Sequence, residues 1–515
     1  MKLMCKLKSL FVFILLIAII SCTEKQVSNS IPRSTPEAEG ISSEAIMKFV
    51  NAADESTTTE FHSFMIIRHG KVIAEGWWDP FGPDLKHTLY SASKSFTATA
   101  VGLAIDEGKL NLDDKLISIF PESVPDSISQ NLANLKIRDM LSMSTGQRRE
   151  ADISTEDWIK SYLETPVELE PGTRYRYSSL ASFMLSATVQ KVTGEKVIDY
   201  LTPRLFEPLG IEGYDWETNP QGINTGGWGL RVKTEDLAKF GLLYLQKGKW
   251  NGKQILSENW VNEATSVKIQ QRPNMTQEER DDADDSVQGY GYQFWRAKNN
   301  SYQVNGYAGQ FVLIVPDKDM VVVFTAESRD MWGELGMVWE YIYPELHDEA
   351  LPENKEVVAA LKEKIATLSI PAPEKSTNEE MSSKISGKTI SLTENQLGFQ
   401  SISLQFSDDL CLMNLKANSG SYDISFGAGE WKFGETTLHG PTIFPQALNA
   451  LNGLPPFKIA CAYAWTRDNS LELTLRYRSM HIQKYILNFN ENGEVVLNYS
   501  DSNSRRATNI EGKIE

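Results

Sequence analysis

Cysteine, histidine and basic charge are all scarce in this chain of 515 residues. Its 4 cysteines and 6 histidines form no cluster of metal-site spacing, so we expect no metal and no cofactor. Acidic residues outnumber basic ones by 68 to 51, and the net charge of −17 argues against nucleic-acid binding, which needs a basic face. Hydrophobic residues make up 41 %, as in a globular protein, and the length predicts more than one domain.

Two absent catalytic patterns narrow the chemistry further. No Gly-x-Ser-x-Gly segment occurs, and none of the histidines lies in a recognisable catalytic context. A Ser-His-Asp hydrolase is therefore not expected. His87 comes four residues before Ser91, but we interpret it as a local structural residue, the usual role of a lone histidine.

The N-terminus has the pattern of a bacterial export signal. Three lysines within the first eight residues precede an apolar run, 10–20, that is too short to span a bilayer. The run ends in Ile19-Ile20-Ser21-Cys22, which resembles a lipobox, whose cysteine becomes the lipid-modified first residue. An ordinary cleaved signal with an incidental cysteine is the alternative. We expect an exported lipoprotein that is anchored to a membrane through Cys22, in the periplasm or at the cell surface.

The segment around Ser91 has the pattern of a catalytic nucleophile. Small residues and good helix formers from Ala92 to Asp106, with Gly108 as the end signal, predict a buried helix that begins at Ser91. Lys94 shares a helix face with Ser91, and Ser-x-x-Lys occurs nowhere else in the chain. Desolvation and the positive helix end lower the pKa of such a lysine, so Lys94 can take the serine proton. This is the nucleophile motif of penicillin-binding proteins and class A β-lactamases.

Two later segments carry groups that such a serine would need, and a third is notable only for its aromatic residues. Tyr177 falls just before an apolar helix predicted from Leu180 to Val192, and it is either a wedge between loop and core or a proton carrier. Gly306 and Gly309 let backbone N–H groups approach an oxyanion closely. The aromatic segment Gly289–Trp295 is interpreted as a strand.

Composition and periodicity divide the chain into successive regions. Near the C-terminus the pattern becomes period-two strands, which predict an all-β domain, either a sandwich or a small barrel. Its Cys411 and Cys461 form a disulfide or remain separate buried thiols. The expected regions are a signal peptide with lipobox at 1–22, a tether at 23–35, a serine hydrolase domain at 36–350, a helix and linker at 351–384, and the all-β domain at 385–515.

From about Pro36 to Glu345 the chain resembles the serine hydrolase family that includes class C β-lactamases, D-Ala-D-Ala carboxypeptidases, related esterases and 6-aminohexanoate-dimer hydrolases. The features that carry the resemblance occur in the family's order: Ser91-Ala-Ser-Lys94, Pro171-Gly-Thr-x-Tyr-x-Tyr177, Gly227-Trp-Gly-Leu-Arg231 and Gly306-Tyr-Ala-Gly309-Gln310. The family implies an α/β (α+β) fold, in which helices flank an antiparallel sheet and a mostly helical lobe is inserted. The C-terminal all-β domain is additional to this fold.

The resemblance also implies roles for single residues. Ser91 would be the acylated nucleophile, Lys94 its base and Tyr177 the proton shuttle. Backbone amides at Ser91 and near Tyr307 would form the oxyanion hole. The expected partner is a small ester, amide or β-lactam substrate.

Two departures from the family pattern bear on the substrate. Ser179 replaces the amide side chain of the family's Tyr-x-Asn element. The Lys-Thr-Gly or His-x-Gly element reads Val304-Asn305-Gly306, which offers no cation to a substrate carboxylate unless Arg231 replaces it. Both departures favour ester or non-peptidoglycan amide hydrolysis over a β-lactamase or D-Ala-D-Ala carboxypeptidase proper. The candidate oxyanion and substrate-binding residues are Ser91, Ser179, Asn305, Gly306, Tyr307 and Arg231.

The alternative from another functional class is a non-catalytic lipoprotein that uses this fold to bind a cell-wall fragment. A binding protein, however, has no need of a buried lysine beside a serine. The combination of Ser91, Lys94 and Tyr177 therefore favours an enzyme.

Overall fold

A computed structural model describes residues 30–440, 444, 447, 452–454, 456–502 and 507–515. The expected signal peptide, Cys22 and most of the expected tether lie outside these residues. The last tether residues lie against the following domain, where Ile31 is buried and Arg33 pairs with Glu75 at 2.8 Å and with Glu235 at 2.9 Å. Within the described part of the chain, no helix has the length and apolar character to cross a membrane.

Helices make up much of the first domain and connect it to the second. The α-helices in the described ranges are α1 Ser43–Asp54, α2 Ser93–Asp106, α3 Leu116–Ile119, α4 Gln130–Asn134, α5 Ile137–Leu141, α6 Trp158–Glu164, α7 Ser179–Thr193, α8 Val197–Leu201, α9 Glu207–Leu209, α10 Thr234–Leu245, α11 Glu258–Thr265, α12 Gln277–Asp282, α13 Gly333–Met337, α14 Lys355–Ala366 and α15 Glu379–Ile385. The predicted helices around Ser91 and after Tyr177 are thus α2 and α7.

The strands fall into two main sheets. In chain order they are β1 Thr59–Arg68, β2 Lys71–Trp77, β3 His87–Thr88, β4 Asp215–Trp216, β5 Leu230–Val232, β6 Lys249–Trp250, β7 Lys253–Gln254, β8 Trp295–Arg296, β9 Tyr302–Gly306, β10 Gln310–Val315, β11 Met320–Ser328, β12 Thr389–Leu392, β13 Phe399–Ser407, β14 Leu410–Ala417, β15 Gly420–Ala428, β16 Lys432–Thr436, β17 Phe457–Arg467, β18 Ser470–Tyr477, β19 Ile482–Phe489, β20 Glu494–Asp501 and β21 Thr508–Ile514. The first sheet has the order β2-β1-β11-β10-β9-β8 and is antiparallel throughout.

Helices cover both faces of this first sheet, which explains why its strands are apolar on both sides. On β1, Met65 and Ile67 join the core that contains α2, α7 and α10, whereas Phe64 and Ile66 join a second core with α1, α13 and α14. Alternate residues of a strand point to opposite faces, so each strand contributes to both cores. The antiparallel sheet flanked by helices confirms the predicted fold class.

The C-terminal domain is a closed barrel, one of the two predicted alternatives. Its antiparallel strands have the order β15-β14-β13-β12-β21-β20-β19-β18-β17-β16, and parallel pairing of β15 with β17 closes the sheet. Cys411 and Cys461 are both buried and free, so the structure has the separate thiols and not the disulfide.

The barrel contacts the first domain beside β3, the strand that leads to Ser91. The Thr88 N–H donates to the Ser479 carbonyl at 2.7 Å, and Arg478 Nε donates to the Pro80 carbonyl at 2.6 Å. Phe444, in the segment between β16 and β17, lies 4.1 Å from Trp228 between ring centroids. The two domains therefore meet close to the candidate catalytic residues.

Candidate active site

Ser91 lies in a tight turn between β3 and α2. A 3₁₀ turn, Tyr90–Ala92, comes directly before α2, so the helix begins two residues after Ser91. Tyr90 adopts a left-handed backbone conformation with φ 46°, which is unfavourable for a residue with a bulky side chain. The Tyr90 ring packs against Tyr307 and against His481 of the barrel. Tertiary contacts therefore hold the strained turn that presents Ser91 at the start of α2.

Lys94 has the surroundings of a general base. Its side chain is 1 % exposed, and its Nζ lies 3.0 Å from Ser91 Oγ, 3.1 Å from Ser179 Oγ and 2.6 Å from the Gly227 carbonyl oxygen. Burial lowers the pKa of Lys94 to about 7, while the more distant Glu150 carboxylate partly opposes the change. A substantial share of Lys94 is therefore unprotonated at neutral pH and can accept the Ser91 proton.

Tyr177 lies next to both Lys94 and Ser91. The Lys94 Nζ is 4.8 Å from the centroid of the Tyr177 ring. Burial raises the pKa of Tyr177 well above its usual value, although a hydrogen bond with Ser91 works in the opposite direction. The Tyr177 phenol thus stays protonated where Lys94 titrates, which suits it to pass a proton on and not to act as the first base.

Ser179 and Gly227 complete the lysine environment from two further elements. Ser179 is the first residue of α7, and the preceding Ser178 caps that helix by accepting the Ala181 N–H at 3.1 Å. A Cβ on Gly227 would lie 2.6 Å from the Ser179 carbonyl oxygen, so only glycine permits this approach. The substitution of serine for the family's amide at 179 therefore gives Lys94 a hydroxyl partner.

The turn between β9 and β10 lies directly against the Ser91 turn. A Cβ on Gly306 would lie 2.2 Å from the Leu89 carbonyl oxygen, and so glycine is required at this crossing. Gln310 Nε2 donates to the carbonyl oxygens of Tyr307 and Ala308, both at 3.1 Å, and fixes the turn. This places Tyr307 in the region where the resemblance expects the second oxyanion amide; that role remains a prediction.

The two remaining candidates have contrasting surroundings. Asn305 is 7 % exposed, and its Nδ2 has no hydrogen-bond partner among the described residues. Arg231 donates from Nε and Nη2 to both carboxylate oxygens of Asp215, at 2.6 and 2.7 Å, and is 3 % exposed. Arg231 therefore forms a buried ion pair with Asp215 and does not replace the missing cation that would bind a substrate carboxylate.

Two tryptophan rings, Trp295 and Trp332, pack in a row beside Tyr177. The sequence did not predict that they belong to the site. The Trp295 ring centroid lies 5.8 Å from Tyr177 and 5.7 Å from Trp332. The segment expected to be a strand forms only β8, because Gly289 and Gln293 have positive φ values that break the extended backbone. Its aromatic composition was a usable signal, but nothing in the sequence placed it beside Tyr177.

Comparisons with known proteins identify the family to which the hydrolase domain is similar. A model of the Beta-lactamase family matches residues 54–335. The chain is similar to the 6-aminohexanoate-dimer hydrolase of Paenarthrobacter ureafaciens, with 27 % identity over 292 residues, or 52 % of this chain and 72 % of the relative. The range that the family model matches contains Ser91, Lys94 and Tyr177, whereas His481 of the barrel lies outside it.

Solved structures of similar proteins include two penicillin-binding protein homologues. The one from Caulobacter crescentus has a TM-score of 0.49 and 15 % identity, and the match covers 59 % of this chain and 97 % of that one. The octameric homologue from Pyrococcus abyssi has a TM-score of 0.45 and 15 % identity, over 92 % of this chain and 99 % of that one.

Proposed function

Because the chain belongs to the β-lactamase family of serine hydrolases, we propose that it cleaves neutral carboxylic esters or amides through an acyl-enzyme on Ser91. The observation that carries this proposal is the 3.0 Å separation of Lys94 Nζ from Ser91 Oγ, with the lysine 1 % exposed. Deprotonated, Lys94 activates a hydroxyl that is otherwise a weak nucleophile.

The proposed reaction has two halves that balance their protons. As Ser91 Oγ attacks the carbonyl carbon, its proton passes to Lys94, and backbone N–H groups beside Tyr307 stabilise the oxyanion. The bond to the leaving alcohol or amine then breaks, and that group receives the proton through Tyr177. Water attacks the acyl group next and gives a proton to Lys94. The bond from Ser91 Oγ to the acyl carbon then breaks, Oγ takes that proton back from Lys94, and the acid is released.

The surroundings of Ser91 support uncharged substrates. Asn305 is neutral, and Arg231 is already neutralised by Asp215. Trp295 and Trp332 offer apolar surface next to Tyr177 for an acyl chain or a leaving group. The similar hydrolase of Paenarthrobacter ureafaciens is named for an amide substrate, so amides are included in the proposal beside esters.

Covalent labelling tests the nucleophile directly. Intact-mass spectrometry after treatment with a fluorophosphonate or p-nitrophenyl acetate should show one adduct on the wild type and none on Ser91→Ala. The matched control is Ser93→Ala, which removes a buried serine of the same segment whose Oγ accepts the Leu230 N–H. This control should still be labelled. An adduct that survives in Ser91→Ala would assign the nucleophile elsewhere.

We further propose that the enzyme is exported and lipid-anchored through Cys22. The lysines, the apolar run and the Ile-Ile-Ser-Cys sequence at the N-terminus support this location. Cys22→Ser should abolish incorporation of labelled palmitate and release the protein from membranes, whereas Cys411→Ser should remain anchored. Membrane association of Cys22→Ser equal to that of the wild type would contradict the anchor.

A further inference from the structure

A second cluster of titratable side chains lies at the junction of the two domains. Glu60 on β1 is paired across the sheet with Glu327 on β11, so two carboxylates are direct neighbours. The register shifts between Phe61 and Ser63, which leaves His62 as an inserted residue. One ligand atom each from Glu60, His62 and Glu327 lies within 4.8 Å of the others. Like charges directly opposite each other are destabilising unless something positive lies between them.

Hydrogen bonds fix which nitrogen of His62 carries a proton. The Thr88 carbonyl can only accept, so His87 donates to it from Nδ1, at 3.0 Å. The His87 Nε2 is then an acceptor, and His62 must donate to it from Nδ1, at 2.8 Å. In neutral His62, Nε2 therefore has a lone pair that faces Glu60 Oε1 at 3.3 Å.

A second buried imidazole faces the other carboxylate. His481, in the turn between β18 and β19, is 2 % exposed, and its Nδ1 lies 3.4 Å from Glu327 Oε2. Neither ring nitrogen of His481 makes a hydrogen bond to another described residue. Glu60, Glu327 and His481 all line a cavity of about 450 Å³, which provides a route from solvent. The site therefore contains two nitrogen–oxygen pairs, His62 with Glu60 and His481 with Glu327. In each pair both atoms can offer a lone pair to a metal ion.

The distances and charges suit a small divalent ion. With bonds of about 2.0–2.1 Å, the nitrogen and oxygen ligands of a tetrahedral Zn²⁺ lie roughly 3.3 Å apart. The His62–Glu60 and His481–Glu327 separations match this value, and a bound ion would draw together the other ligand atoms of the group, which lie within 4.8 Å of one another. Arg476 of the barrel makes two hydrogen bonds to Glu60, which neutralise one carboxylate and leave the cluster with one net negative charge. Imidazole and carboxylate ligands together are typical of zinc.

We propose that Glu60, His62 and Glu327 bind a divalent transition-metal ion such as Zn²⁺, and that His481 of the barrel, which contacts Glu327, turns toward the ion as the fourth ligand. His87 is then a positioning residue, because its lone pair fixes the His62 tautomer that presents Nε2 to the metal. The ion joins β1 and β11 of the hydrolase domain to the β18–β19 turn of the barrel. None of its ligands is one of the residues proposed for acyl transfer, although His481 packs against Tyr90, the residue before Ser91.

Metal uptake by the full chain tests the site. Chelator-stripped protein, incubated with Zn²⁺ and dialysed, should retain one equivalent by elemental analysis, and Co²⁺ should give the visible absorption of a tetrahedral site. Glu327→Gln and His62→Gln should lose this uptake, while His87→Ala should weaken Zn²⁺ binding by roughly 10- to 100-fold. The matched control is His69→Ala, because His69 is an exposed histidine that pairs with a single carboxylate, Glu39, at 2.9 Å. It should bind as the wild type does.

X-ray absorption of the zinc-loaded wild type provides a measurement that needs no variant. It should show two imidazole nitrogens and oxygen ligands. A wild type that retains no ion, an absorption spectrum without imidazole ligands, or a folded Glu327→Gln that binds Zn²⁺ as tightly as the wild type would each overturn the site. Ser91→Ala should bind the metal fully, so the result does not depend on the proposed hydrolysis.

Discussion

Lys94 and Arg231 are two buried cations of the hydrolase domain, and they differ in the charge of their hydrogen-bond partners. All three hydrogen bonds of Lys94 go to uncharged oxygens, whereas Arg231 meets both carboxylate oxygens of Asp215. Both side chains are at most 3 % exposed, so burial alone does not decide which is reactive. When the partners are uncharged, burial destabilises the charged side chain and lowers its pKa, so that it can give up a proton. When the partner is a carboxylate, the ion pair stabilises the charge. The difference assigns chemistry to one cation and structure to the other.

The sharpest test of this difference removes the reactive cation. Lys94→Met should lower kcat/KM for an activated ester by roughly 10²–10⁴-fold, because Ser91 loses its base, while the fold remains intact. Lys239→Met is the matched control, since Lys239 is also buried but contacts Asp236 at 3.6 Å and the Gly210 carbonyl at 2.9 Å. Ester turnover should be unchanged in this control. Near-normal turnover by Lys94→Met would make that lysine structural.

Removal of the structural cation should affect stability instead. Arg231→Leu leaves Asp215 with Lys86 as its remaining ionic partner, at 2.5 Å, and should lower the free energy of unfolding by about 3 kcal/mol. Denaturant unfolding measures the loss. The double variant Arg231→Leu/Asp215→Leu should recover part of it, because no buried charge is left without its partner. A loss of stability below about 0.5 kcal/mol in Arg231→Leu would contradict the assigned role.

The substrate preference follows from the same pairing. A charge-assisted hydrogen bond to a substrate carboxylate contributes about 1.5–3 kcal/mol, or roughly ten- to a hundredfold in affinity. Arg231 does not provide this bond, because it is already paired with Asp215. We expect neutral esters such as p-nitrophenyl butyrate to be turned over better than nitrocefin, after correction for uncatalysed hydrolysis. A wide margin in favour of nitrocefin would show that another cation binds the carboxylate.

The pH dependence should give the smallest effect near neutral pH. Since the pKa of Lys94 is lowered to about 7, kcat/KM for a neutral ester should fall about tenfold for each pH unit below 7 and reach a plateau above it. The unfolded chain binds this proton more tightly, so the wild type should gain stability relative to Lys94→Met as the pH rises from about 7 to 10. A flat ester profile from about pH 5 to 8 would exclude Lys94 as the titrating base.

Local patterns in the sequence predicted much of the fold and the centre of the site. The helices α2 and α7 follow from periodicity and end signals within short segments. Ser91 and Lys94 are three residues apart on adjoining turns, so their contact is nearly local. The sequence also led correctly to a serine hydrolase of the β-lactamase family.

Contacts between distant segments could not be predicted in this way. The Gly227 carbonyl reaches Lys94 across 133 residues, and Ser179 does so across 85. Both contacts depend on how α2, α7 and the intervening loop pack, which no local pattern encodes. The proposed metal site combines Glu60, His62 and Glu327 of β1 and β11 with His481 of the barrel. A search for closely spaced cysteines and histidines could not find it, because its residues are far apart in the sequence.

The Gly227 carbonyl allows the main chain to influence the pKa of Lys94, and with it the pH range in which the enzyme is active. A hydrogen bond from Lys94 to this oxygen, at 2.6 Å, favours the charged lysine and so limits how far its pKa can fall. The contact requires a position without a Cβ, because a methyl group at 227 would be forced against the start of α7. A loop displaced by a fraction of an ångström would lower the pKa of Lys94 without any change of charge nearby. Adaptation to more acidic surroundings is therefore possible by reshaping one loop, with the catalytic side chains kept as they are.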